Sequence, residues 1–167
     1  MSSHLDHPEP DPFSAAEFDA WRGLLRLHAT VTGRLQGRLT EEHGISLAEY
    51  GVLITLVTEP SGLRMTDLAA RRLITPSGIS RVVDKLERRG LVARHEDPSD
   101  RRGFLSVLTE KGMRKLREAQ VTHHTEVREL YLERLTEREL KTLSRLLEKA
   151  MPGVVSSAIW PPPGPAA

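Results

Sequence analysis

Six residues within a short stretch could do chemistry together: Ser77, Gly78, Ser80, Arg81, Lys85 and Arg88. At helical spacing they stand opposite Ile79, Val82, Val83 and Leu86, which recur at i, i+3, i+4 and i+7 and predict one buried stripe. Two short hydroxyls and a glycine permit close approach to a partner. The cations that follow them can reach base edges or phosphates in a major groove. The stretch carries its own punctuation. Thr75 is a good N-cap, Pro76 suits the first helical position, where no donor is missed, and Gly90 supplies the stop. Taken alone, the same pattern also describes an ordinary solvated helix, so its neighbours decide between the two.

Before it, Met65-Thr66-Asp67-Leu68-Ala69-Ala70-Arg71-Arg72-Leu73-Ile74 predicts a short helix. Thr66 is its candidate cap, with Leu68, Ala69 and Leu73 on its inner side. The break before Pro76 is brief, and two short helices across a tight turn make a helix-turn-helix. After Gly90, Leu91 and Ala93 alternate with Val92 and Arg94. Asp97-Pro98-Ser99-Asp100 then forms a turn, and Phe104, Leu105, Val107 and Leu108 form a second extended run. A β-hairpin with Arg101 and Arg102 at its tip is expected. Ser77, Ser80 and Arg81 are the base-edge candidates; Lys85, Arg88 and Arg64 are the phosphate candidates.

Helix, turn and helix are followed by Gly90-Leu91-Val92, by Asp100-Arg101-Arg102, and by Val107-Leu108-Thr109-Glu110-Lys111-Gly112. Together they resemble the winged-helix core of the MarR family, and the resemblance covers roughly Phe18 to Met151. It implies a bacterial dimeric transcription regulator, often released from DNA by small molecules. It also implies that Arg102 enters the minor groove, with Asp100 orienting it. Arginine suits that task because a narrow groove concentrates negative potential.

The bulk numbers set limits. With 167 residues the chain is long enough for one compact domain or two small lobes sharing helices. It has no cysteine, which removes disulfides, thiol catalysis and the cysteine-based peroxide sensing used by part of that family. The sequence shows neither a signal-peptide h-region nor a run long enough to span a bilayer, so a soluble cytoplasmic protein without a membrane partner is expected. Net charge is only +1. Its distribution is uneven: Ser61 to Lys111 holds 11 Lys and Arg against 7 Asp and Glu, and the remainder holds 13 against 16. The basic excess therefore sits on the proposed DNA-binding segment.

Along the chain, residues 1–13 are read as a mobile tail carrying His4 and His7, and 14–45 as an N-terminal dimerisation helix. Its apolar stripe runs Phe18, Trp21, Leu25, His28, Thr32, Leu35 and Leu39. Residues 46–111 form the winged helix-turn-helix lobe, opened by the capping box Ser46-Leu47-Ala48-Glu49. Residues 112–151 give C-terminal dimerisation helices, the first with a stripe Met113, Leu116, Gln120, His123, Val127, Leu130 and Arg134, the second capped by Thr136 and Glu139. Residues 152–167 are a Pro-rich tail in which Ile159-Trp160 stands out. The fold expected is thus mainly α with a small β-hairpin wing, a DNA-binding lobe flanked by helices that pair with a second copy.

Catalytic patterns are missing: no phosphate loop, H-E-x-x-H or nucleophile elbow occurs, and no cofactor is expected. Adjacent His123 and His124 point about 100° apart on a helix and ligate one metal poorly. The reading is a homodimeric regulator on double-stranded DNA with a pseudo-palindromic operator. Family resemblance adds a small aromatic or anionic ligand between the lobes, for which Trp21, His28 and Tyr50 are the pocket candidates. A metal-responsive regulator and a winged-helix protein-interaction module are the alternatives.

Overall fold

The computed structural model describes residues 12–72, 75–98 and 100–155. The N-terminal histidines, Leu73, Ser99 and the Ile159-Trp160 pair lie outside them, as do the side chains of Pro76, Arg101 and Arg102.

Among the described residues, six α-helices and three strands follow in the order α1 (Ala15–His43), α2 (Leu47–Val57), β1 (Leu63–Arg64), α3 (Met65–Arg72), α4 (Pro76–Arg88), β2 (Val92–Asp97), β3 (Asp100–Leu108), α5 (Glu110–Leu130) and α6 (Glu137–Ala150). A 3-10 turn, Leu132–Arg134, joins the last two helices. Local chemistry sets most of these bounds. Ser14, Ser46 and Thr136 each form a reciprocal capping box with a glutamate three residues on. Thr75 and Thr109 cap α4 and α5 through their hydroxyls. Gly44 ends α1 in the left-handed conformation at φ 63°, where a side chain would be strained.

Helix α2 is the centre of the core. Tyr50, Val52, Leu53, Ile54 and Leu56 pack with Ile79, Val83 and Leu86 of α4, with Leu68 and Ala69 of α3, and with Leu116 and Ala119 of α5. Each of the α4 contacts is worth about 1.5–3 kcal/mol of apolar burial. The sheet order is β1-β3-β2, antiparallel throughout, with Leu63 opposite Ser106 and Val92 opposite Leu108. Strand β1 is an addition to the expected hairpin, since two residues are too few to show a period.

The start of α5 is locked to the end of α4. The Thr109 hydroxyl donates to the Gly90 carbonyl at 2.8 Å and accepts from the Gly112 amide at 3.0 Å, while Lys111 Nζ donates to the Arg89 carbonyl at 2.8 Å. Gly112 is required here, because a Cβ would stand 2.0 Å from the Leu91 carbonyl oxygen. Helix α5 ends at Leu130, short of the Arg134 to which its stripe was extended, because Tyr131 leaves helical geometry at φ −138°. Its buried line also runs differently, through Gly112, Leu116, Ala119 and Glu126.

Burial divides α1 in two. Leu35 and Leu39 are in the interior, whereas Phe18, Trp21, Leu24 and Leu25 are about half exposed. Helix α6 has no buried residue, and Leu146, Leu147 and Met151 lie open.

Candidate nucleic-acid interface

Helix α4 presents the expected outer face. Ser77, Arg81, Lys85 and Arg88 are exposed, and Gly78 and Ser80 are partly so. Thr75 Oγ1 accepts from the Gly78 amide at 3.2 Å, which fixes the first turn on which Ser77 and Ser80 stand. Arg81 and Arg88 make no ion pair with any described residue.

The acidic residues of α4 are drawn to the sheet side. Arg94 of β2 bonds Asp84 through Nη2 and pairs with Glu87 at 3.1 Å through Nη1. One arginine thus occupies both carboxylates of the helix and leaves the opposite side cationic. Sequence reading noted Arg94 only for its place in the hairpin's alternation, because nothing in a strand pattern says which helix a side chain will meet.

A second tie, also unseen in the sequence, reaches α4 from behind. Glu49, the capping-box glutamate of α2, is only 1% exposed. Its Oε2 accepts from the Ser46 amide at 2.7 Å and from Lys85 Nζ at 3.1 Å; its Oε1 accepts from Arg89 Nη1 at 3.1 Å. Arg89 Nη1 also donates to the Gly44 carbonyl at 3.0 Å. Burial pushes the Glu49 carboxyl up, but the Ser46 amide, Lys85 and the Ser46 hydroxyl outweigh it and hold the group below its ordinary value. Lys85, expected to contact phosphate, therefore has its ammonium on a carboxylate of its own chain.

Arg64 is similarly engaged. Its Nε donates to Asp97 Oδ2 at 2.7 Å and its Nη1 to Asp100 Oδ2 at 3.3 Å, so both acids flanking the hairpin turn hold it. Asp97 is buried, and its hydrogen bond raises the Arg64 guanidinium further above its already high value. The arrangement braces the base of the wing against β1. Arg101 and Arg102 follow on β3 at the head of the wing. Phe104 is 55% exposed beside them and, with Arg64, Met65, Thr66, Arg94 and Gly103, lines a cleft of about 500 Å³ between wing and α3.

The three pocket candidates do not converge within one chain. Trp21 and His28 are exposed on the first half of α1, about 21 and 10 Å along the helix axis from Leu35, where α1 becomes buried. Tyr50 is 2% exposed and stacks on His123 of α5, with ring centroids 4.6 Å apart and an interplanar angle of 18°. Its phenol Oη is buried without a hydrogen-bond partner among the described residues. Burial raises the Tyr50 hydroxyl to about 12 and lowers His123 to about 4, the latter helped by neighbouring His124. A neutral imidazole against a neutral phenol makes an aromatic, weakly polar site. Among the described residues no group of three or more His, Cys, Asp or Glu side chains converges to hold a metal ion.

A three-stranded sheet that ends in a wing, set beside a capped helix with hydroxyls and arginines outward, is a winged helix-turn-helix. Comparison with known proteins agrees. Residues 43–103 match the family model described as MarR family. A match to the regulator YkoM of Bacillus subtilis (strain 168) is 36% identical over 75 residues, 45% of this chain and about half (48%) of that one. The chain is 30% identical to the transcriptional repressor MprA of Escherichia coli (strain K12) over 135 residues, 74% of this chain and 75% of that one. A MarR family regulator from Streptomyces coelicolor, solved in complex with DNA, superposes with a TM-score of 0.80 at 32% identity, covering 89% of this chain and 93% of that one. CouR from Rhodococcus jostii RHA1, solved bound to p-coumaroyl-CoA, gives 0.73 at 30% identity, covering 84% and 97%. The chain belongs to the MarR family of DNA-binding transcriptional regulators. No helix among its described residues is long and apolar enough to cross a membrane.

Proposed function

We propose that the protein is a cytoplasmic repressor that acts as a homodimer on a pseudo-palindromic operator and is released by a small aromatic or anionic molecule. The observation that carries the DNA part is the one-sided charge of α4. Asp84 and Glu87 are neutralised by Arg94, while Arg81 and Arg88 stay open beside Ser77 and Ser80. Ser77, Ser80 and Arg81 then read base edges, Arg88 takes a phosphate, and Arg102, oriented by Asp100, enters the minor groove. The half-exposed apolar residues of α1 and α6 supply the dimer contact, and two recognition helices reach successive major grooves one helical turn apart.

Binding to genomic and random duplex pools, measured as a function of salt, tests the reading. A steep slope with an enriched palindrome is the expected result. A shallow slope with no enriched sequence would give the chain to a protein partner instead.

The inducer site is best supported at Tyr50 and His123, rather than at Trp21 and His28 of the same chain. The relative solved with p-coumaroyl-CoA makes aromatic acyl compounds and phenolic acids the first panel to try. Titration calorimetry with these compounds should give saturable heats that Tyr50→Ala abolishes. Equal heats from the variant would move the site elsewhere.

A further inference from the structure

Lys85 on α4 and Arg89 at its C-cap follow Arg81 at successive intervals of four residues, so all three share one helical stripe. Two of them do not end in open solvent. They converge on Glu49, a carboxylate 1% exposed on a different helix, held in place by the Ser46 amide of its own capping box. Arg89 also reaches the Gly44 carbonyl, so the corner between α1 and α2 is stapled to the last two turns of α4. A buried carboxylate facing two cations is costly to leave unpaired, which keeps the staple closed.

We infer that Glu49 is a positioning residue for specificity: it fixes the angle of α4 and withholds Lys85 and Arg89 from the DNA backbone. This rests on the DNA-binding reading given above. A cation on a duplex phosphate adds affinity for every sequence alike, because phosphates carry no sequence information. Withholding two such cations lowers indiscriminate binding and leaves discrimination to the N-terminal half of α4 and the wing. Lys85, which the sequence assigns to a phosphate, is thereby a brace.

The test compares salt slopes and the ratio of operator to random-duplex affinity for full-length variants. Glu49→Gln keeps a capping-box residue at the start of α2, so the helix start survives while the charge is lost. Its slope should steepen by about 0.9 for each released cation that finds a phosphate. Its operator-to-random ratio should fall about tenfold, the scale of one lost base-pair contact. In the wild-type background, Arg88→Met should flatten the slope by about 0.9, because that arginine is unpaired and is placed on a phosphate. Lys85→Met should leave the slope where it was and lower the ratio. Lys85→Met flattening the slope as much as Arg88→Met overturns the inference, and this arm decides even where Glu49→Gln fails to fold. A folded Glu49→Gln with wild-type slope and ratio overturns it too. A wild-type chain that binds no duplex removes this inference together with the DNA reading, whereas the other two results remove this inference alone.

Discussion

The DNA-facing lobe and the helical flanks of this chain are built on opposite terms. From Ile45 to Val92 the apolar side chains of five elements close on one another, with Val52, Leu53, Ile79, Val83 and Leu86 fully excluded from water. Several charged residues of the lobe and its wing are also matched across elements: Arg64 with Asp97, Lys85 and Arg89 with Glu49, Arg94 with Asp84 and Glu87. In the flanks, Phe18, Trp21, Leu24 and Leu25 of α1 and Leu146 of α6 stand about half in water, and ion pairs such as Arg22–Asp19 and Lys141–Glu137 are local and exposed. A lobe of the first kind is finished by its own sequence. A flank of the second kind has its apolar stripe ready and, among the described residues, nothing of its own chain set against it.

That contrast can be broken by experiment. The largest effect should come from the flanks acting through the lobe. Leu25→Glu combined with Leu146→Glu should leave a folded monomer whose operator affinity drops by on the order of 100-fold or more, since two half-sites are no longer engaged together. Sedimentation together with gel shift reads both halves of this outcome, and a variant that remains dimeric would refute the surface. Within the lobe, Leu53→Ala should cost about 2–5 kcal/mol in chemical denaturation, with the lobe unfolding as one unit. A cost below about 1 kcal/mol would mean that the core is looser than its burial implies. Arg102→Ala should weaken operator binding by about 1–3 kcal/mol and flatten the preference for narrow-groove flanks, with no change in melting temperature. Unchanged affinity and preference would take the wing tip out of the reading.

The smallest effect concerns the seam where lobe meets flank. Neutral His123 is favoured in the folded state, its value lowered to about 4 by burial and then by His124. A depressed imidazole contributes stability that is whole above the ordinary value of 6.5 and is lost as pH falls toward 4, because the unfolded chain binds the proton first. His124, Tyr50 and Arg128 share this surrounding, so the comparison is made against His123→Phe, which retains the stack on Tyr50. Between about pH 7 and about pH 5 the wild type should lose more melting temperature than the variant. Parallel losses would assign the pH sensitivity to other groups.

Much of the fold was legible because its signals are local. Ser46 with Glu49, Thr75 with Pro76, Thr136 with Glu139, and Gly90 mark their helix ends within a few residues, and the structure uses each of them. The interior of α4 was legible for the same reason, since a 3.6 period needs no partner to be seen. The cross-links were not. Arg64 meets Asp97 across 33 residues and Lys85 meets Glu49 across 36, and a charged side chain carries no address in sequence. Helix α5 shows the cost of reading period alone. Its expected stripe passed over Glu126, yet that carboxylate is 3% exposed, because Arg34 and Arg38 of α1 close over it. The pocket candidates were chosen by residue type, which does not record that Trp21 and His28 lie along α1 beyond its buried half.

If the open stripe of α1 and α6 is the dimer contact proposed above, it has a meaning for dosage. A regulator completed only by a second copy of itself registers its own abundance. While the chain is scarce, dimers form in proportion to the square of its concentration, and operator occupancy follows the dimers. Doubling the amount of protein in that regime raises occupancy about fourfold rather than twofold. The half-exposed residues Phe18 to Leu25 and Leu146 would thus set the threshold at which a cell's supply of this protein begins to silence a promoter.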